Sequence, residues 1–135
     1  MTDQEMRDRT ATLLRKSASD EEALGLDGFS PHIAAFHGQQ AIEKLLKAWL
    51  FALGVEAPKV HSFKKLVTLL ELKGCNVPKV SVPIGRFSDF AVQWRYEDIP
   101  EEAAPDLPAM RVAVREFREA VTLEIKKALA GNQES

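Results

Sequence analysis

The chain has 135 residues, 45% of them apolar, and a formal net charge of -2 from 18 basic and 20 acidic side chains. That length suits one domain with a proper core and is short for two, and the absence of any like-charged block excludes the broad basic footprint of a duplex-binding protein. A single cysteine, Cys75, excludes an internal disulfide and a thiolate zinc site and fits a reducing compartment.

The opening Met1-Thr2-Asp3-Gln4-Glu5 is polar and acidic rather than basic then apolar, so no secretory signal is expected. No apolar run approaches membrane-spanning length. The expectation is a cytoplasmic protein with no membrane partner. From Thr2 to about Leu26, Met6, Thr10, Leu13, Leu14, Ala18, Ala23 and Leu24 recur among charged residues and predict an amphipathic helix, continuous through Ser17-Ala18-Ser19-Asp20. Gly25 and Gly28 mark a turn, and Ser30-Pro31 is a start signal, serine as cap and proline in the first turn.

The helix that follows, ending near Gly54, is the central one. Ile42, Leu45, Leu46, Trp49 and Leu53 form one apolar face, and Ala34, Gly38, Ala41, Leu45, Ala48 and Ala52 a second, smaller one beside it. So wide an apolar sector requires partners on more than one side, and the small residues allow a close approach. The narrow polar side carries Gln40, Glu43, Lys44 and Lys47, with Glu43 and Lys47 in the favourable order for an ion pair.

Ser62 caps a third helix from Phe63 to about Leu72, with Phe63, Leu66, Val67 and Leu70 on one face, and Gly74 stops it. The stretch from Cys75 to Gly85 alternates Val77, Val80 and Val82 between Pro78 and Pro83. A lone strand would have nothing to pair with, so it reads as a loop. Phe87, Phe90, Ala91 and Trp94 predict a short fourth helix ending at Arg95 or Tyr96. Pro100, Pro105 and Pro108 stiffen the connection that follows. The last helix, from near Asp106 to Gly131-Asn132, has the cleanest period, with Leu107, Met110, Val114, Phe117, Val121, Ile125 and Leu129 in one stripe. Five helical segments, no credible sheet and no repeat predict an all-α, up-and-down antiparallel helical bundle forming a single domain over residues 1–135.

Three histidines are the first candidates for chemistry. His32 and His37 stand about 140° apart around a helix axis, so they do not face one metal ion, and neither has a carboxylate at triad spacing in sequence. No Walker or dinucleotide glycine loop, no nucleophile elbow and no cofactor motif is present. Cys75, with no histidine partner nearby in sequence, reads as an ordinary thiol. Arg95-Tyr96 supports two readings. The guanidinium fork and the ring can hold a phosphate and a base, or Arg95 can pair with a carboxylate while Tyr96 covers the bundle end.

Three fragments together resemble one family. Gln39-Gln40-Ala41-Ile42-Glu43-Lys44-Leu45-Leu46-Lys47-Ala48 resembles the Gln-Gln-Ala-x-Glu-Lys-x-x-Lys-Ala core of HEPN domains. His61-Ser62-Phe63 with Leu66 is similar to their Thr-His-Ser/Asp-Leu helix start, and Arg95-Tyr96 to their Arg-Tyr-Pro. Val60 and Glu97 depart from that pattern, standing where threonine and proline are frequent. The resemblance implies a bundle of about five helices, a homodimer, a minimal nucleotidyltransferase as partner in a toxin-antitoxin-like system, and a nucleotide ligand such as ATP or GTP. The residues themselves place a nucleotide at Lys44, Lys47, His61, Arg95 and Tyr96: the polar side of the central helix offers the lysines, His61 begins the next helix where the dipole favours an anion, and Arg95-Tyr96 closes the fourth, with Lys47, His61 and Arg95 at one end of the bundle. The competing reading pairs Glu43 with Lys47 and Arg95 with Glu43 or Asp98, while His61 packs. Ribonuclease branches of the family place a histidine four to six residues after an arginine, and no arginine here is so followed. A noncatalytic module is therefore expected, the alternative being a divergent ribonuclease using His61 with Arg95. The dimer is expected through exposed apolar surface including Trp49, Phe87, Phe90 and Trp94.

Overall fold

The structure is a computed structural model and describes residues 1–87 and 106–134. It is all-helical: α1 (Asp3–Gly25), α2 (Pro31–Ala52), α3 (Phe63–Leu72) and α4 (Leu107–Glu134) are the long described elements, with a helical turn at residues 85–87. The predicted fourth helix beyond Phe87, with Phe90, Trp94, Arg95 and Tyr96, lies outside the described residues.

Local chemistry sets the boundaries. The hydroxyl of Thr2 accepts from Glu5 N–H at 3.1 Å, and Asp3 and Glu5 place negative charge at the positive end of α1. The helix continues through Ser17-Ala18-Ser19-Asp20 as expected. Asp106 accepts from Ala109 N–H at the start of α4. Ser30 occupies the cap position of α2, but its hydroxyl makes no capping bond. Both α2 and α3 end on a left-handed glycine. Gly54 (φ 80°) donates to Phe51 C=O while Val55 donates to Leu50 C=O; Gly74 (φ 84°) donates to Glu71 C=O while Cys75 donates to Leu70 C=O. This paired closure requires a positive φ that glycine adopts at no steric cost. At the other end of the chain, α4 runs through Gly131-Asn132 rather than stopping there.

Helix directions follow from the bonds between elements. Ser17 donates to Ala41 C=O at 2.7 Å and Thr10 lies against Ala48 C=O, so α1 and α2 are antiparallel. Arg7 donates to Leu129 C=O, Arg118 to the Ser17 hydroxyl and Arg111 to Leu24 C=O, so α4 is antiparallel to α1 as well. Consequently α2 and α4 point the same way, and they too pack together.

Both apolar faces predicted for α2 are buried, apart from the half-buried Leu53, and the stripe of α4 from Met110 to Ile125 closes against them. The seam of α1 is different from the one expected. Its buried residues are Thr10, Ser17, Asp20 and Leu24, whereas Met6, Leu13 and Leu14 are half-buried. Small polar side chains let α1 approach the alanine face of α2 closely, and their hydroxyls find carbonyl acceptors there. Residues 75–84 form no strand; Ser81 ties this loop to Glu116 of α4, and Val77, Val80 and Ile84 line an open apolar cleft of about 520 Å³ against α3.

Two residues expected at an exposed dimer surface are core residues. Trp49 is 1% exposed and Phe87 is fully buried. Phe87 lies against the one position of α2 that has no side chain: a Cβ on Gly38 would stand 3.2 Å from Phe87 Cε1 and 3.4 Å from Leu24 Cδ2. Gly38→Ala should be close to neutral in urea denaturation, because the ~1 kcal/mol gained in helix propensity offsets the tight contact. Gly38→Val adds two methyls at the same spot and should cost about 2 kcal/mol or more. A valine variant as stable as the parent would mean that Phe87 does not pack on this glycine.

Candidate functional site

The polar side of α2 is a line of His37, Gln40, Lys44 and Lys47, one turn after another, backed by two buried carboxylates. Asp20 arrives from α1, across the antiparallel hairpin. Its Oδ1 lies 2.9 Å from His37 Nδ1, and its Oδ2 takes the Lys44 ammonium. Glu43 belongs to α2 itself and is only 3% exposed. It accepts from Gln39 Nε2 at 3.2 Å and from Lys47 Nζ at 3.3 Å, and both of its oxygens lie 3.2 Å from His61 Nδ1. Gln40 donates to Gln39, which extends the network along the helix.

An ionised carboxylate can only accept, so each contact places the proton of the imidazole on Nδ1 and leaves Nε2 on the opposite edge. The rings of Phe29 and Phe36 lie near His37, with centroids 5.9 and 5.8 Å away. His61 stands in the open, its side chain 81% exposed, just before the α3 cap. An Asp–His or Glu–His pair of this kind orients a ring, and at His61, whose side chain is mostly in water, the ring can exchange a proton with a ligand.

The expected nucleotide site is thus divided. Lys47 and His61 meet on Glu43, as their placement at one end of the bundle suggested, and the predicted Glu43–Lys47 ion pair is formed. Lys44 does not join them; it turns to Asp20. Arg95 and Tyr96 lie outside the described residues. Asp20 and His37 were missed as a pair because they are far apart in sequence. The available signal was the turn: folding the chain back at Gly28 sets Asp20 opposite His37, about equally far from the bend.

Cys75 is half-buried, and burial followed by the nearby Glu124 carboxylate pushes its thiol above the ordinary value. It stays protonated near neutrality and is a poor nucleophile, in keeping with its reading as an ordinary thiol. Among the described residues no three His, Cys, Asp or Glu side chains gather as a metal site, and no helix is long and apolar enough to cross a membrane.

No curated protein and no solved structure matches the chain. A family model does: that of the HEPN domain, over residues 15–127, which takes in all of α2 and α3, the second half of α1 and most of α4. With the all-helical fold and the Gln39–Ala48 core of α2 in place, the chain belongs to the HEPN domain family.

Proposed function

We propose that this chain is a noncatalytic HEPN module that works by docking to a partner protein, as a homodimer paired with a minimal nucleotidyltransferase in a toxin-antitoxin-like system. One observation carries the preference for docking over nucleotide capture: Lys44, Lys47 and His61 each face a buried carboxylate. Two acids against two lysines leave no surplus positive charge for a phosphate unless a histidine protonates. The missing arginine–histidine spacing supports the noncatalytic reading.

The reading is tested in two measurements. A minimal nucleotidyltransferase from the same genome, co-expressed with the chain, should co-elute with it in size-exclusion chromatography. ATP or GTP titrated by calorimetry should give no heat that depends on Lys47 or Arg95, comparing the wild type with the Lys47→Ala, Arg95→Ala double variant. Nucleotide binding that the double variant loses would replace docking with nucleotide capture at these residues. The ribonuclease alternative retains one observation in its favour, the exposed His61 ring with Nδ1 held by Glu43. RNA cleavage by the purified chain, lost in His61→Ala, would establish it instead.

A further inference from the structure

The residues around the start of α3 carry a local excess of positive charge. Lys59, His61, Lys64 and Lys65 fall within seven residues and are all exposed. Lys64 and Lys65 occupy the first turn of α3, where the helix dipole is positive and cations cost stability, and that turn contains no acidic residue. The positions three and four residues away from either lysine are Val60, His61, Ser62, Val67, Thr68 and Leu69, so no helical ion pair is available. Glu56 makes no ion pair with Lys59, and Glu43, beneath His61, is already engaged with Lys47. Some of the chain's other cations are paired, as in Arg118–Glu21, Lys44–Asp20 and Lys127–Glu124, but nowhere else in the sequence do three lysines and a histidine fall within seven residues. A chain of net charge -2 therefore presents a cationic face at the start of α3, where Lys59, Lys64 and Lys65 have no ion pair among the described residues, at a cost to its own helix.

We propose that this face binds an acidic segment of the partner protein. The inference rests on the docking reading above and names the chemistry of what docks. Charge complementarity selects a polyanion, and the details select a polypeptide over a nucleic acid. A single-stranded nucleic acid is gripped by exposed aromatic faces between cations, and here Phe63 is turned into the core, 5% exposed. No arginine lies in residues 59–65 to fork onto a phosphate; the cations are lysines, compact charges that pair with single carboxylates. Asp and Glu side chains opposite the first turn of α3 would also supply the negative charge that its dipole lacks.

The test uses the full chain and a fluorescent peptide of alternating Glu and Ser, followed by anisotropy at low and moderate salt, beside a length-matched oligouridylate. The Lys59→Glu, Lys64→Glu, Lys65→Glu variant should bind the peptide about tenfold more weakly, and wild-type binding should weaken with salt. A Lys16→Glu, Lys79→Glu, Lys126→Glu variant has the same net charge and should bind as the wild type does. Because acids suit a helix start, the first variant should also melt at or above the wild-type temperature, which separates lost binding from lost folding. Equal weakening by both variants, tighter binding of oligouridylate through the same lysines, or self-association of the wild type that only the first variant abolishes would each overturn the proposal. The nucleotidyltransferase complex separates the two readings. If it forms and survives the first variant, the acidic-segment proposal falls while the docking reading stands. If it does not form while the peptide still discriminates the variants, the named partner falls and the cationic docking face stands.

Discussion

Replacing Glu43 with alanine should lower the stability of the folded chain by about 3 kcal/mol. The carboxylate is buried, and three side chains converge on it: Gln39, Lys47 and His61. Its removal leaves the Lys47 ammonium, only 15% exposed, without a counter-charge, and the Gln39 amide without its acceptor. Most of the cost is that of stranding a charge, so the Glu43→Leu, Lys47→Leu double variant should recover much of it, because an apolar pair of similar size needs neither desolvation nor a partner. His61→Ala should cost far less, since the ring is mostly in water. Urea denaturation of the three variants checks the series. A Glu43→Ala chain as stable as the parent would mean that Glu43 is held for a ligand rather than for the fold.

Trp49→Ala should cost about 4 kcal/mol, the upper range for emptying a well-packed site. Trp49 sits in α2 where the helix is covered from more than one side, and Leu45, Leu46 and Phe51 are buried on the same helix. A domain's total stability is about 5–15 kcal/mol, so the variant should be marginal at room temperature. The midpoint of urea denaturation, followed by circular dichroism, should fall accordingly. If the variant instead kept its midpoint and only changed its oligomeric state, Trp49 would belong to an interface and not to the core.

What the sequence made legible was periodicity and punctuation. The α4 stripe from Met110 to Ile125 and the two faces of α2 could be read because buried positions repeat every three or four residues and are occupied by apolar side chains. Gly54 and Gly74 could be read as stops because their role is local. The α1 seam was harder: Ser17 and Asp20 are buried yet polar, and polar residues count against a core face until their partners, Ala41 C=O and Lys44, are known. The same holds for the site. Glu43–Lys47 lies within one helix and was evident, whereas Lys44–Asp20 and His37–Asp20 depend on the register of two helices, which side-chain spacing along one helix does not encode.

Because α2 and α4 point the same way, no short turn can join them, and residues 53–106 separate them in the chain. The α1–α2 hairpin, by contrast, closes over residues 26–30. Loop-closure entropy grows with the logarithm of length, so bringing α4 home costs about 2 kcal/mol more than closing the hairpin. On loop entropy alone, the hairpin should form before α4 docks. A chain in which α4 has not docked displays the apolar face of α2 that Phe117, Val121 and Ile125 cover in the fold.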